Sequence, residues 1–207
     1  MKSRQNLELL LEEVKGQYYE VVEKNIELQA TLDCYQDIKE LLRFKKRYYS
    51  QEGILAQVIV KEHSTENHSF LIDRGSLHGT EKDMVVVHKH CLVGKVTHVY
   101  PLYSRVILVT DKKCRVAAYC SKTKACGIYV GTNQKGVTRL EHVSHLSKVM
   151  EGDLVISSGE GLVFPRGFGL GKIVSAEVDG LYFNTIVEPL INIADIHYCM
   201  VLKKGII

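Results

Sequence analysis

Histidines are the first residues in this chain whose type and spacing suit metal or acid–base chemistry. His88-x-His90 places two imidazoles on one strand face, and His142 and His145 lie three residues apart. Imidazole is a common zinc ligand, but a zinc site needs three or four ligands, and neither pair has a Cys or carboxylate partner at matching spacing. We therefore expect ordinary strand and turn histidines and no metal site.

A serine hydrolase is the second chemistry to test. Asp73, Ser104, Ser157 and Ser158 could be combined on paper with one of nine histidines, but a triad is recognised by geometry and not by chain order. No Ser stands in the Gly-Asp-Ser-Gly setting of trypsin-like enzymes, and the G-x-S-x-G elbow is absent. The Gly-rich segment 157–167 also lacks the G-x-x-x-x-G-K-[ST] spacing of a phosphate loop. We expect no catalytic residue and no cofactor.

The cysteines do not point to a redox or metal centre. No C-x-x-C pair occurs, which disfavours a zinc ribbon or a thioredoxin-type site. Small buried apolar residues are the expected role, and a disulfide stays open. The chain has six: Cys34, Cys91, Cys114, Cys120, Cys126 and Cys199.

The element that organises the chain is an N-terminal helix. Its apolar residues recur every 3.5 residues, in a narrow line that a helix buries against another helix. Asn25 falls at an a position, where a buried Asn fixes register and favours a parallel pair. Packing on the chain's own globular part is the alternative. We predict a coiled-coil homodimer, with a seam formed by Leu7, Leu11, Val14, Tyr18, Val21, Asn25, Leu28, Leu32, Tyr35 and Leu42.

Composition narrows the function classes further. The net charge of +3 over 207 residues is too small to indicate nucleic-acid or membrane-surface binding. One basic run, residues 43–49, mixes cations with aromatics, but cations are favoured near a helix C-terminus and a solvated helix end explains it. No run of eighteen apolar residues occurs. The heptads begin almost at once, so we expect the natural N-terminus to lie upstream of this chain.

Beyond residue 52 the hydrophobic period falls to about two. Short β-branched runs separated by Gly, Asp, Asn and Lys turns indicate an antiparallel sandwich or barrel. No helical period interrupts them, which disfavours a parallel α/β sheet. The predicted strands are Leu55–Lys61, Ser69–Asp73, Met84–His88, Leu92–Val99, Arg105–Thr110, Arg115–Cys120, Cys126–Val130, Thr138–Val143, Leu154–Ser157, Gly171–Val178, Tyr182–Glu188 and Tyr198–Leu202.

An internal echo divides these strands into two groups. Residues 79–86 resemble residues 149–156, and each segment is followed by a Gly-Lys strand, at Gly94 and at Gly171. Both glycines would serve a bend or close backbone approach at a barrel corner. We predict a mainly β fold: a long coiled-coil helix (1–52), then two small antiparallel β-barrels (53–128 and 129–207). Whether the last strand returns to the first barrel stays open.

Several ordered segments together resemble the rod-shape-determining MreC family. They are Ile72-Asp73-Arg74-Gly75, Met84–Val87, Leu92–Val96, Ser104–Asp111, Gly152–Gly159, Phe164–Gly167 and Gly171–Ile173. The resemblance covers about residues 54–202, and a coiled coil precedes it as in that family. The residues that carry it, expected to be structural, are Asp73, Gly75, Gly94, Gly152, Asp153, Gly159, Pro165, Gly167 and Gly171.

The resemblance implies a non-catalytic scaffold on the periplasmic face of the bacterial inner membrane. Members of this family have one membrane-spanning segment, which the resemblance implies upstream of this chain; they dimerise and link the MreB and MreD system to peptidoglycan synthases. They bind the elongation-class penicillin-binding protein. Two departures from the family pattern, Asp83 and Cys91, each replace a Gly at an expected turn.

Two other functions stay as alternatives. A membrane-fusion adaptor of an export system also combines helices with β-barrels, but it needs two antiparallel helices where the pattern predicts one. A chymotrypsin-like hydrolase would need a reactive nucleophile. In the scaffold interpretation, the barrels offer exposed strand edges and apolar patches to partners.

Overall fold

The computed structural model describes residues 2–48 and 53–202. Helix α1 covers Lys2–Tyr48 without a break, as expected for a segment that contains no proline. From Leu11 to Leu42 the apolar seam side chains are exposed, with Val14 at 56% and Leu28 at 57%. Leu7, the first seam residue, has a side chain outside the described residues.

Within the described residues, twelve strands follow the helix and carry the mainly β character of the chain. Two short 3₁₀ turns, Ser76–His78 and Ile193–Asp195, lie between them. The strands are β1 (Gly53–His63), β2 (His68–Ile72), β3 (Val85–His88), β4 (Cys91–Val99), β5 (Ser104–Leu108), β6 (Arg115–Cys120), β7 (Cys126–Gln134), β8 (Val137–Ser144), β9 (Leu154–Ser157), β10 (Gly169–Asp179), β11 (Tyr182–Pro189) and β12 (Tyr198–Leu202).

Six strands close the first antiparallel barrel. They are hydrogen-bonded in the order β4-β3-β12-β1-β2-β5, and β5 pairs back with β4. The last strand therefore returns to the first barrel, where Met200 lies opposite Val87 on one side and Leu55 on the other. The interior is filled by inward-facing side chains such as Phe70, Val86 and Val106.

The other six strands close the second barrel in the order β10-β9-β6-β7-β8-β11, with β11 pairing back to β10. Its core includes Val116, Tyr129, Leu140 and Ile173, all with 1% exposure or less. The two barrels have the same cyclic arrangement, in which β3 and β4 correspond to β9 and β10. The two similar sequence segments, 79–86 and 149–156, therefore lead into equivalent strand pairs, β3–β4 and β9–β10. In this arrangement β12, the last strand of the chain, is the counterpart of β6.

The two barrels share buried surface. Val86 on β3 points into the first barrel, whereas its neighbours Val85 and Val87 belong to the same apolar cluster as the second-barrel core. Met200 and Leu202 on β12 also join that cluster. Because alternate side chains of a strand face opposite sides, β3 and β12 are buried on both faces.

Strand pairing places the passage between barrels earlier than residue 128. Strand β6 pairs with β7 and β9 of the second barrel, so the chain leaves the first barrel between Leu108 and Arg115. Strand β6 is thus part of the second barrel, where it occupies the position that β12 occupies in the first barrel. As independently folding domains, residues 1–52, 53–128 and 129–207 stay a prediction.

Because both barrels close, they have fewer exposed strand edges than the sequence predicts. A closed barrel pairs the two sides of each strand, and both barrels close. Exceptions occur where one strand outruns its neighbour, as β10 does beyond β9.

Candidate interaction surfaces

The predicted seam lies along one side of α1. From Leu11 to Tyr35 its members alternate in steps of three and four residues, so they line one side of the helix. Leu32 and Tyr35 are exposed by 60% and 69%. Burying one Leu side chain contributes about 2 kcal/mol. The exposed seam is therefore apolar surface that a second helix would bury, and its dimer contacts stay a prediction.

In each histidine pair, one member lies on a strand and the other lies in the turn that follows it. His88 ends β3 and is buried, with its Nδ1 2.8 Å from the carbonyl oxygen of Tyr198, while His90 lies in the following turn. The expectation that both occupy one strand face was therefore wrong, since β3 ends before His90. His142 contacts the Tyr182 ring edge-on, with ring centroids 5.6 Å apart. No group of three or more potential metal ligands occurs within residues 2–48 and 53–202.

The serines that the hydrolase hypothesis needs are bonded to backbone. The Ser104 hydroxyl donates to the Arg74 carbonyl at 2.6 Å, and the Ser157 hydroxyl donates to the Pro165 carbonyl at 2.6 Å. Ser157 Oγ also accepts the N–H of Phe168 at 3.0 Å. Both hydroxyls thus hold loops in place.

The five cysteines of the two barrels form no disulfide bond. Burial raises the pKa of Cys114 to about 12, with Lys95 lowering it and Asp111 raising it to smaller extents. Burial likewise raises the pKa of Cys199 to about 12. Because the thiolate is the reactive form, these two side chains act as small apolar core residues.

The segment Asp73-Arg74-Gly75 builds a tight corner. Asp73 Oδ1 accepts the N–H of Gln57 at 2.6 Å, and its Oδ2 pairs with Arg74 Nη1 at 2.8 Å. Gly75 is extended, with φ −121°, so it does not use the positive φ that Gly allows. A Cβ there would lie 2.2 Å from the Tyr100 carbonyl oxygen. Close backbone approach requires Gly75.

Gly94 and Gly171 occupy equivalent strands of the two barrels. A Cβ on Gly94 would lie 2.0 Å from the Ile107 carbonyl oxygen, and one on Gly171 would lie 2.4 Å from Val187 Cγ1 and 2.7 Å from the Glu188 carbonyl oxygen. Each site is a close approach of backbone to backbone, next to a shift of strand register. Such positions admit only glycine, because the obstacle is backbone that cannot rotate away.

Asp153 is the most heavily bonded carboxylate on the described barrels. It is fully buried and accepts hydrogen bonds from the N–H groups of Lys122 at 3.0 Å, Thr123 at 3.1 Å and Leu154 at 2.8 Å, and from the Thr123 hydroxyl at 3.2 Å. Burial alone raises its pKa, but these hydrogen bonds outweigh burial and hold the pKa of Asp153 below its ordinary value. The carboxylate ties the β6–β7 turn to the start of β9.

An Asp153→Asn variant is expected to lose about 1–3 kcal/mol of unfolding free energy at neutral pH, because an amide nitrogen would face backbone donors. A depressed folded-state pKa contributes stability above the unfolded pKa of about 4, and this contribution disappears as pH falls through the folded value. Urea unfolding of both proteins should therefore show a difference that shrinks towards acid pH.

Asp179→Asn is the matched control, since Asp179 is exposed and its carboxylate forms no hydrogen bond or ion pair with the described residues. This variant should leave the free energy of unfolding unchanged at neutral and at acid pH. An Asp153→Asn difference that stays constant with pH would contradict the role assigned to the charge.

The remaining family-motif residues shape two turns. Gly152, Gly159 and Gly167 have φ values of +78°, +84° and +94°, a region that glycine enters freely. Pro165 lies between the last two, is buried, and its carbonyl receives the Ser157 hydroxyl. The segment 157–167 is therefore an irregular connection anchored at Ser157.

The two departures from the family pattern are accommodated locally. Asp83 adopts φ +66°, so its site is one that favours Gly, and its Oδ1 lies 3.2 Å from Lys95 Nζ. Cys91 begins β4 and lies opposite Gly169 of β10, in the one-residue parallel pairing that links the two barrels. Burial raises the pKa of Cys91, and Lys89 offsets this in part.

A cleft of about 600 Å³ lies between the barrels. The turn after β1, the β7–β8 turn and the segment after β11 enclose it. Two histidines line it, with ring centroids 5.2 Å apart. Burial lowers the pKa of His63, with Lys61 adding to the effect, and burial also lowers that of His68. Sequence reasoning missed this cleft, because its walls come from segments far apart in the chain.

The basic run that begins at Arg43 lies near the end of α1. The side chains of the basic run after Arg43 lie outside the described residues. No helix within the described ranges is long and apolar enough to cross a membrane.

Comparison with known proteins gives one consistent family. The family model described as "Rod shape-determining protein MreC, barrel core" matches residues 58–203. The cell shape-determining protein MreC of Listeria monocytogenes is 31% identical over 176 residues, which are 82% of this chain and 60% of that protein. MreC of Escherichia coli K12 is 27% identical over 207 residues, covering 98% of this chain and 55% of that protein. The chain thus spans three fifths or less of these two relatives.

Solved structures agree on the fold. An "MreC" structure superposes with a TM-score of 0.77 at 23% identity, covering 84% of this chain and 99% of that one. The Listeria monocytogenes MreC structure has a TM-score of 0.66 at 28% identity, covering 93% and 94%. A complex between the penicillin-binding protein PBP2 and MreC from Helicobacter pylori has a TM-score of 0.57 at 17% identity, covering 74% and 100%.

Proposed function

Because this chain belongs to the MreC family of rod shape-determining proteins, we propose that it is a non-catalytic periplasmic scaffold that maintains cell shape. It dimerises through the seam of α1 and presents its two barrels to the peptidoglycan synthases of cell elongation. The match of the barrel-core family model to residues 58–203 is the observation that carries this proposal.

The proposed partners follow from the family. The Helicobacter pylori relative was solved in a complex with PBP2, and we extend that partnership to an elongation-class penicillin-binding protein of the same source as this chain. The MreB and MreD system is the proposed link to the cytoskeleton, at the periplasmic face of the inner membrane. No nucleic acid is part of this proposal, in keeping with the net charge of +3.

The chemistry of the barrels supports a binding role. The hydroxyls of Ser104 and Ser157 are engaged by backbone, and the thiols of Cys114 and Cys199 have raised pKa values. These residues stabilise the barrels, so the exposed surfaces are left for protein contacts.

A pull-down with the periplasmic part of an elongation-class penicillin-binding protein tests the scaffold function. We expect saturable binding that survives moderate salt, because an interface with an apolar core is weakly screened.

No binding by a folded, dimeric chain would overturn the proposed partnership and leave the family assignment valid for the fold. In that event a membrane-fusion adaptor becomes the next function to test. An adaptor would capture components of an export system instead of a synthase.

A further inference from the structure

Strand β10 runs past the end of its neighbour. Strand β9 pairs with β10 only as far as Lys172, which lies opposite Leu154. One residue later, the Ile173 N–H donates to Asp153 and its carbonyl accepts from Gly152 at 2.8 Å. From Val174 to Asp179, β10 is hydrogen-bonded on one side only, to β11.

The geometry of the hairpin defines which groups face the open side. Strands β10 and β11 are joined by a two-residue turn, so Asp179 and Tyr182 form a hydrogen-bonded pair. Hydrogen-bonded and non-hydrogen-bonded pairs alternate in an antiparallel ladder. The N–H and C=O groups of Ala176 and Val178 therefore point away from β11. In the described parts of the chain, no hydrogen bond reaches these four groups.

This edge carries only some of the usual devices against pairing. Natural edges are blunted by charged side chains, especially Lys, and by Pro, bulges or very short strands. Residues 174–179 contain neither Lys nor Pro, and their charged side chains are Glu177 and Asp179. The only irregularity is the register shift between Ile173 and Ser175, and the ladder from there to Asp179 is regular. Val178 is 64% exposed. The edge is therefore ready to accept another strand.

Charge selects the strand that would pair there. Glu177 and Asp179 project from the same side of β10 and are exposed, and neither forms an ion pair with any described residue. A second copy of β10 paired antiparallel would bring the carboxylates of both strands opposite each other, which is destabilising. A strand with cations at alternate positions would meet these carboxylates favourably and place apolar residues beside Ala176 and Val178.

We propose that the outer edge of β10, residues 174–179, is a docking site for an extended segment of a partner protein in which Lys or Arg alternates with apolar residues. The segment adds a strand to the second barrel, a known mode of peptide recognition. This goes beyond the proposed function and does not depend on it, because the test requires neither a synthase nor the dimer.

The test uses a short synthetic peptide of alternating Lys and Val with the whole chain. Hydrogen exchange of the Ala176 and Val178 amides, followed by NMR, should slow by about tenfold or more when the peptide is present. The same peptide with alternate amides methylated, and a Glu-Val peptide, should leave exchange unchanged. Equal protection by the methylated peptide would overturn the proposal.

Two variants separate strand addition from charge attraction. Val178→Pro removes the outward N–H without breaking a bond to β11, since proline is accepted where an edge N–H faces solvent. It should abolish the protection of Ala176, whereas Val178→Thr should retain it. Unchanged peptide binding by a folded Val178→Pro chain would overturn the proposal. If that variant fails to fold, the methylated peptide decides the question on the unaltered chain.

Discussion

A Leu28→Asp chain is expected to be monomeric with both barrels still folded. Leu28 is 57% exposed in one chain and occupies a d position of the seam. Replacing it removes about 2 kcal/mol of apolar burial from each chain and brings two carboxylates together in the seam. Dimer affinity should fall about 100-fold or more. Sedimentation equilibrium over a range of concentrations measures this, and Val21→Asp should behave alike.

Ile26→Asp is the matched control. Ile26 is 62% exposed and lies two residues from Leu28, at an outward b position of the same heptads. This variant should remain dimeric. A Leu28→Asp chain that dimerises as tightly as the unaltered one would show that the seam is assigned to the wrong residues.

A Gly94→Ala chain should lose about 3 kcal/mol of stability, which lowers the melting temperature by on the order of 10 °C for a chain of this size. The added methyl would stand 2.0 Å from the Ile107 carbonyl oxygen and 2.9 Å from its carbon. Neither atom can move without displacing β5. Differential scanning calorimetry of the two chains gives the comparison.

The same chemical change at Gly16 provides the contrast. Nothing lies within 4 Å of a Cβ at that helix position, and alanine favours a helix over glycine by about 1 kcal/mol. Gly16→Ala should leave barrel unfolding unchanged. A Gly94→Ala chain that melts at the normal temperature would mean that β4 and β5 can separate at this corner at little energetic cost.

Local patterns predicted most of the strands, since each alternates or carries a run of β-branched residues between turn signals. The run Val85-Val86-Val87 identifies a strand, but it does not show that Val85 and Val87 pack on the other barrel. Long-range pairing has no local signature. Strand β6 joins β9 more than thirty residues later, so its barrel could not be read from residues 115–120.

The same limit applies to the site residues. The family motif includes Asp153, so sequence alone identifies this residue. Its hydrogen-bond donors Lys122 and Thr123 lie about thirty residues earlier, and nothing in their residue types predicts the contact. Gly75 stands out in the family motif, but the atom that requires a glycine there is the Tyr100 carbonyl oxygen across the corner. The sequence therefore identifies residues with a structural role more readily than it identifies their tertiary contacts.

The return of β12 to the first barrel makes the second barrel an insertion within the first. Residues 115–189 contain all six strands of the second barrel, so we expect this barrel to close first, whereas the barrel nearer the amino terminus must wait for Tyr198–Leu202. A premature stop codon just after β11 would therefore spare the downstream barrel and leave the upstream one open between β1 and β3. The barrel that begins first along the chain is therefore expected to close last.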